Sequence, residues 1–364
     1  MKRRSLLKAA SFLLVMGIVV VLVLAPWGRA PNLRNVGKPI PMPRGDAIFG
    51  YPQHLWISER EQIGFLRYNL PGLKIPSHPA TMAIAFDTES GRSYQMQSLS
   101  QRLFPIGKKN EPWFVSSWQP STDGKWISLD LYDHTLGHHS FGFVRTDGSA
   151  MKVFPTNMGA TNLYWNPMDG NLLVMRRDIE ISNERAPRPS SYSYNPDNPD
   201  RPRLLPIQQI DCASCRLGVT SRGRILDVMD WAWNNMKPDA PVTLRETDPQ
   251  APDGAQKSWT IQPPRGKVAA ISLSSKGDKL AWLINTHNAG PKIGFLRRTL
   301  HMMGYKTSDT ISLWISTLNG SVMREIGTTN VPRNVTSGSL SWSPSDKKIS
   351  FAFTPSELWV VPVK

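Results

Sequence analysis

Short apolar runs separated by polar turns recur along this chain, and the last set is the clearest. Residues 339–363 read Ser-Leu-Ser-Trp-Ser-Pro-Ser-Asp-Lys-Lys-Ile-Ser-Phe-Ala-Phe, then Thr-Pro-Ser, then Glu-Leu-Trp-Val-Val-Pro-Val. This predicts a short apolar strand ending at Trp342, a turn, an alternating strand, a tight break and a third strand. Looser copies lie upstream. Trp118-Gln119-Pro120 precedes Asp123-Gly124, and Trp165-Asn166-Pro167 precedes Asp169-Gly170. Leu273-Ser274-Ser275 precedes Gly277-Asp278. A strand-rich unit repeated every ~45 to 70 residues reads as the blade of a propeller. The physical reason is direct. Proline and Asp-Gly form the hairpin turn. The second strand alternates because one face packs on the next blade, and tryptophan fills the wedge between blades. The innermost strand is expected to be apolar because it lines a packed centre.

These residues resemble the TolB-like, WD40-like propeller repeat, an apolar-x-Trp-Ser-Pro-Asp-Gly-Lys unit closing on Leu-Trp-Val. Ser345-Asp346 stands where that repeat has Asp-Gly. The resemblance covers roughly residues 46–364 and implies fold more than function, because propellers host many unrelated activities. It also implies protein–protein work in a bacterial cell envelope. The expected fold class is all-β, a six-bladed β-propeller preceded by a single N-terminal transmembrane or signal-anchor helix. The blades fall at about residues 53–103, 113–154, 161–210, 216–261, 268–326 and 339–363. The last has only three strands. Residues 35–42 are expected to supply its fourth, outer strand, because Pro39, Pro41 and Pro43 suit an edge.

The expected domains are an anchor or signal peptide at 1–31, a linker and closing strand at 32–45, and the propeller at 46–364. Lys2, Arg3, Arg4 and Lys8 precede an uncharged apolar run from residue 9 to residue 25. This is a basic head followed by an export-type core. Gly28-Arg29-Ala30 with Pro31 is a poor cleavage site, which favours an uncleaved anchor over a cleaved signal and secretion. The basic head keeps the amino terminus inside, so the propeller lies outside the cytoplasm, in the periplasm or beyond. Arg3-Arg4-Ser5-Leu6-Leu7-Lys8 also resembles the twin-arginine export signal.

Charge changes the picture of partners. The net charge is +15, and eight of these charges lie in the first 44 residues, which hold no acid. Lys292, Arg297, Arg298 and Lys306 form a second basic patch. A nucleic-acid binder carries its basic stripe on the body. A basic tether fits anionic lipid better. The expected partners are the membrane, through the anchor, and an envelope protein or glycan. The propeller is expected to be a monomer.

In a blade whose strands run A to D from centre to rim, A–B and C–D turns share one face, and B–C and D–A connections share the other. The A–B turns here are short. The B–C connections are longer, at about residues 69–80, 133–139, 182–189, 234–240 and 288–308. That face is the expected working face, and three constellations fall on it. Asp130, Asp133, His134, His138 and His139 combine imidazole and carboxylate, a donor set suited to a transition metal. The competing reading is a solvated polar loop. Asp227, Asp230, Trp231 and Trp233 could form a ligand platform, or the tryptophans could be wedges between blades. In the insertion at 287–308, which holds the candidate residues Phe295, Leu296, Arg297 and Arg298, a short helix would put Leu296, Leu300 and Met303 on one face with Arg297 and Arg298 beside it, a basic amphipathic segment. It suits a membrane surface or a partner, or else folds back over the blade.

Cys212-Ala213-Ser214-Cys215 holds both cysteines. In an oxidising compartment the expectation is a short-loop disulfide or a labile pair, and the disulfide, if formed, pins the entry to the fourth blade. Arg216 stands where a c-type haem site needs histidine, and no βαβ pattern supports a redox motif. No nucleophile motif or phosphate loop appears. The leading expectation is therefore a binding module without enzyme activity or cofactor. The alternative is a metal-dependent lyase or carbohydrate-active enzyme on the B–C face. A passive sensor is disfavoured by the short basic stub ahead of the anchor.

Overall fold

A computed structural model describes residues 40–41, 55–68, 80–103, 113–133, 138–158, 161–176, 191–207, 215–229, 238–251, 254–286, 308–332, 339–354 and 357–363. It is a six-bladed β-propeller built of six four-stranded sheets. The first element, β1 (Ile40–Pro41), belongs to the last blade. Blade 1 is β2 (Leu55–Trp56), β3 (Glu61–Tyr68), β4 (Ala80–Asp87) and β5 (Ser93–Gln95), followed by helix α1 (Gln97–Leu103). Blade 2 is β6 (Trp113–Pro120), β7 (Trp126–Asp133), β8 (His138–Arg145) and β9 (Met151–Met158). Blade 3 is β10 (Thr161–Trp165), β11 (Leu172–Arg176), β12 (Tyr192–Asn195) and β13 (Asn198–Leu204). Blade 4 is β14 (Cys215–Val219), β15 (Ile225–Val228), β16 (Val242–Thr247) and β17 (Gln256–Ile261). Blade 5 is β18 (Lys267–Leu273), β19 (Lys279–Thr286), β20 (Ser308–Thr317) and β21 (Met323–Pro332). Blade 6 is β22 (Ser339–Trp342), β23 (Lys348–Thr354) and β24 (Glu357–Pro362), with β1 as its outer strand.

The join between first and last blades is made twice. At the rim, Ile40 pairs with Leu358 and Pro41 with Glu357, antiparallel. Proline sits on the outer strand, where its missing N–H removes no ladder bond. Ile40 also packs with Phe86 of blade 1 and with Ala352 and Leu358 of blade 6. Near the axis, Glu59 Oε1 accepts the Ser345 N–H at 2.6 Å, and the Lys348 ammonium donates to the Glu59 carbonyl at 2.9 Å. The remaining residues of the expected 35–42 strand lie outside the described residues.

The core lies between blades. One cluster joins blades 5 and 6 through Leu283, Leu313, Trp342, Phe351 and Trp359. Another joins blades 1 and 2 through Ile57, Ile63, Ala83, Ile127 and Leu129. The second includes Leu99 and Leu103 of α1, an element with no counterpart in the sequence reading. Strand β5 is only three residues long, so the edge of β4 needs another partner. Ser100 Oγ accepts the Ala83 N–H at 3.1 Å, and Arg102 Nε donates to the Gly148 carbonyl at 3.0 Å.

The A–B turns fix the repeat's true frame. Gly124, Gly170, Gly223 and Gly277 take φ of +71°, +69°, +74° and +74°, and Asp346 takes +62° at the same place. Asp346 thus fills the glycine position, as the repeat implies. In blade 2, however, the residue that opens the turn is Ser121, whose N–H reaches the Trp126 carbonyl at 2.7 Å. In blade 6 it is Ser343, whose N–H reaches the Lys348 carbonyl at 2.9 Å. Pro120, not Trp118, therefore occupies the position of Trp342, and the second copy is two residues out of the frame read from its Trp-x-Pro.

Among the described residues no helix is long and apolar enough to cross a membrane. The expected anchor at residues 1–31 lies outside the described residues.

Candidate functional site

Six inner strands converge on the axis, and their ends carry the polar signal. The expectation of a uniformly apolar, packed centre is corrected here. Gln119, Ser272 and Ser341, each one residue ahead of the turn-proximal position, line an axial cavity of about 160 Å3 together with Leu55, Trp56 and Trp165. None of the side chains lining this cavity is ionisable. It opens through Thr122, Pro167, Ser275 and Pro344 into a shallower bowl of about 350 Å3 on the A–B face. Met168, Asp123 and Lys276 stand at the bowl's edge. Burial alone would raise the Asp123 carboxyl, but the Ser121 hydroxyl and the Lys125 N–H bond it, and the net effect is a lowering. Asp123 is held as a carboxylate.

This face is rigid because its turns bond to one another. Ser221 N–H donates to the Gly277 carbonyl at 2.9 Å. Asp346 accepts the Ser275 N–H at 2.7 Å and the Lys276 N–H at 3.3 Å. Burial raises the Asp346 carboxyl above its ordinary range, against the pull of these two bonds. A Cβ on Gly124 would come within 1.9 Å of the Ile57 carbonyl oxygen, so blade 2 approaches blade 1 backbone to backbone.

Tryptophans at equivalent positions do not behave alike. Trp165 Nε1 donates to the Gln119 carbonyl at 2.8 Å, and Trp342 Nε1 donates to the Ser272 carbonyl at 3.3 Å. Each indole thus ties its blade to the preceding inner strand. Trp56 holds the same place in blade 1, directly before the turn residue Ile57. Its side chain is 3% exposed, and its Nε1 has no hydrogen-bond partner among the described residues. Gln62, opposite Trp56 in the β2–β3 register, is fully buried with both amide atoms likewise unbonded.

The sequence-predicted residues fall as follows. Asp133 lies opposite His138, and Tyr132 opposite His139, at the B–C end of blade 2. The register therefore brings Asp133 and His138 to one face of the sheet, with both on strands rather than in a loop. His134 lies outside the described residues, as do the side chains of Asp133, His138 and His139. Asp130 is on β7 opposite Phe141. Asp227 is fully buried and lies 3.5 Å from the Arg245 guanidinium, its cross-strand partner. It forms an ion pair inside blade 4 rather than a group at a channel mouth. Asp230, Trp231, Trp233, Phe295, Leu296, Arg297 and Arg298 lie outside the described residues. Cys215 opens β14, and Cys212 lies outside the described residues. Sequence reasoning missed the axial residues. The available signal was a polar residue at the same place in three inner strands, Gln119, Ser272 and Ser341.

Compared by sequence, the chain matches no protein family and no curated protein. It is similar in structure to several solved propellers. A chain of the mitotic checkpoint complex shares 14% identity at a TM-score of 0.47, over 92% of this chain and 95% of that one. An oligogalacturonate lyase from Vibrio parahaemolyticus shares 8% at 0.44, over 85% and 76%. A protein described as TolB from Agrobacterium tumefaciens shares 10% at 0.42, over 86% and 91%. Likeness at this level concerns the ring of sheets and carries no argument about activity.

Proposed function

We propose that this chain is a non-catalytic binding module. Residues 1–31 tether it to a membrane, the propeller lies outside the cytoplasm, and its B–C face engages an envelope protein or glycan. The observation that carries this reading is the contrast between faces. The A–B turns are short and bonded blade to blade. The second and third strands are joined by residues 69–79, 177–191, 229–241 and 287–307 in blades 1, 3, 4 and 5, all leaving the opposite face. Long connections on a rigid scaffold are where recognition concentrates. The basic tether and its basic, acid-free lead-in suit an anionic membrane surface.

A photo-crosslinking side chain in the full-length protein tests this. Placed at 183, 236 or 295, it should capture an envelope component, and placed at 169 or 222 it should not. Capture only from 169 or 222 would reverse the assignment of faces.

One observation favours a second reading. Asp133 and His138 share a register position, so a metal held by Asp133, His134, His138 and His139 would make this a metal-dependent lyase or carbohydrate-active enzyme. A stoichiometric transition metal in the purified chain, lost in His138→Ala, would support that reading over the first.

A further inference from the structure

The six seams of the ring are not equally fastened. Among the described residues, the buried apolar cluster at five of them holds between seven and eleven residues. Between blades 6 and 1 it holds three, Phe86, Ala352 and Leu358, with Ile40 and Val360 packed against them. Burial stabilises in proportion to apolar area, so this seam gains least from it. Polar side chains stand there instead. Gln62 lies opposite Phe86 and so faces blade 6. Ser350 lies opposite Val360 and so faces blade 1. Both are buried.

Polar atoms are also sealed at this seam without partners. Trp56 Nε1, both amide atoms of Gln62 and Ser345 Oγ have no hydrogen-bond partner among the described residues. A buried polar group left unbonded costs stability, and opening the seam lets water bond it. The fasteners are slight. Strand β1 contributes two residue pairs to β24, and Ile40 wedges between Phe86 of blade 1 and Leu358 of blade 6. At the A–B end the seam is bonded through the Glu59 carboxylate and the Lys348 ammonium. The turns of blades 4 and 5, by contrast, are joined backbone to backbone, Ser221 to Gly277. We infer that the seam between blades 6 and 1 is a gate: when the Ile40 strap lifts, the ring opens there while the other five seams stay packed. The gate leads to the axial cavity, which Leu55 and Trp56 line from blade 1 and Leu340, Ser341 and Trp342 line from blade 6. This inference depends neither on the B–C face nor on the membrane tether proposed above.

The test is thiol labelling of the native full chain, with Cys212→Ser and Cys215→Ser removing the natural thiols. Single probes are Ala352→Cys and Ser350→Cys at this seam, Ala281→Cys between blades 5 and 6, and Ala83→Cys between blades 1 and 2. All four positions are buried, at 2% exposure or less, so a maleimide reaches each thiol only when its seam opens. A urea titration of every variant gives its global unfolding, against which each labelling rate is corrected. Both thiols at the 6–1 seam should label about tenfold faster or more than the other two. Their rates should change little in low urea, because a local opening exposes little surface. Ile40→Ala should speed these two about tenfold further and leave the other two unchanged. Two results would overturn the inference. One is that the thiols at this seam label no faster than the other two after correction. The other is that Ile40→Ala speeds all four alike.

Discussion

The carboxylate of Glu59, in the first A–B turn, accepts the backbone N–H of Ser345, in the last, at 2.6 Å. These residues stand at opposite ends of the sequence, and their bond closes the inner ring where β1 closes the outer one. A hydrogen bond to a charged acceptor contributes about 1.5–3 kcal/mol. Glu59→Ala should therefore lower unfolding stability by about that amount in a urea titration. Lys348→Met removes the donor to the Glu59 carbonyl and should cost less, since Lys348 is partly exposed.

Two glycines with the same backbone angle separate strain from packing. Gly124 and Gly170 have φ of +71° and +69°, but a Cβ meets backbone at Gly124 and nothing within 4 Å at Gly170. Gly170→Ala should cost about 1–2 kcal/mol, the left-handed penalty alone. Gly124→Ala should cost clearly more, about 3 kcal/mol or above, because blade 2 must move off blade 1. Equal losses in thermal unfolding would mean that the two blades do not touch there.

The number and order of sheets was legible in the sequence because turn chemistry repeats. Asp-Gly and its stand-in Asp346 mark a position that needs positive φ. The frame of blade 2 was misread because Trp118 and Pro120 mimic the motif two residues early, and only the Ser121 to Trp126 hydrogen bond reveals the turn's start. Helix α1 escaped notice because seven residues with two buried leucines give almost no periodic signal. The ion pair of Asp227 with Arg245 was invisible for another reason. It depends on β15–β16 register across a long connection, and local pattern cannot fix that. The axial site was concealed by the assumption that inner strands are apolar throughout, when Gln119, Ser272 and Ser341 face the channel.

Asp346 gives a signed pH dependence. Burial raises its folded pKa above the ordinary 3.8. The folded state thus holds the proton more tightly. That contribution is complete below 3.8 and is lost as pH rises through the folded pKa. Asp346→Asn stays neutral throughout. Its stability relative to wild type should improve as pH rises from about 3 to about 6, measured by urea midpoints. Asp87 has the opposite sign. The hydrogen bond from Arg60 lowers it, so its contribution is present above the ordinary range and is lost as pH falls.

Asp227 and Arg245 are both buried, at 0% and 4% exposure. Removing Arg245 takes a cation from beside a buried carboxylate. Arg245→Met should cost about 3–5 kcal/mol, and the double change Asp227→Leu with Arg245→Met should recover much of that loss. Urea unfolding of the two variants reads the difference directly.

The closed ring is tested most directly by joining Ile40 to Leu358. These residues are register partners on β1 and β24, close enough for a disulfide in an antiparallel pair. In a chain carrying Cys212→Ser and Cys215→Ser, the pair Ile40→Cys and Leu358→Cys should oxidise to a fast-migrating species on a non-reducing gel. It should also raise unfolding stability by about 2–4 kcal/mol. A chain in which the two thiols stay free under oxidising conditions, while Ile40→Cys with Val360→Cys crosslinks as readily or better, would contradict the closure on which the tethered propeller rests.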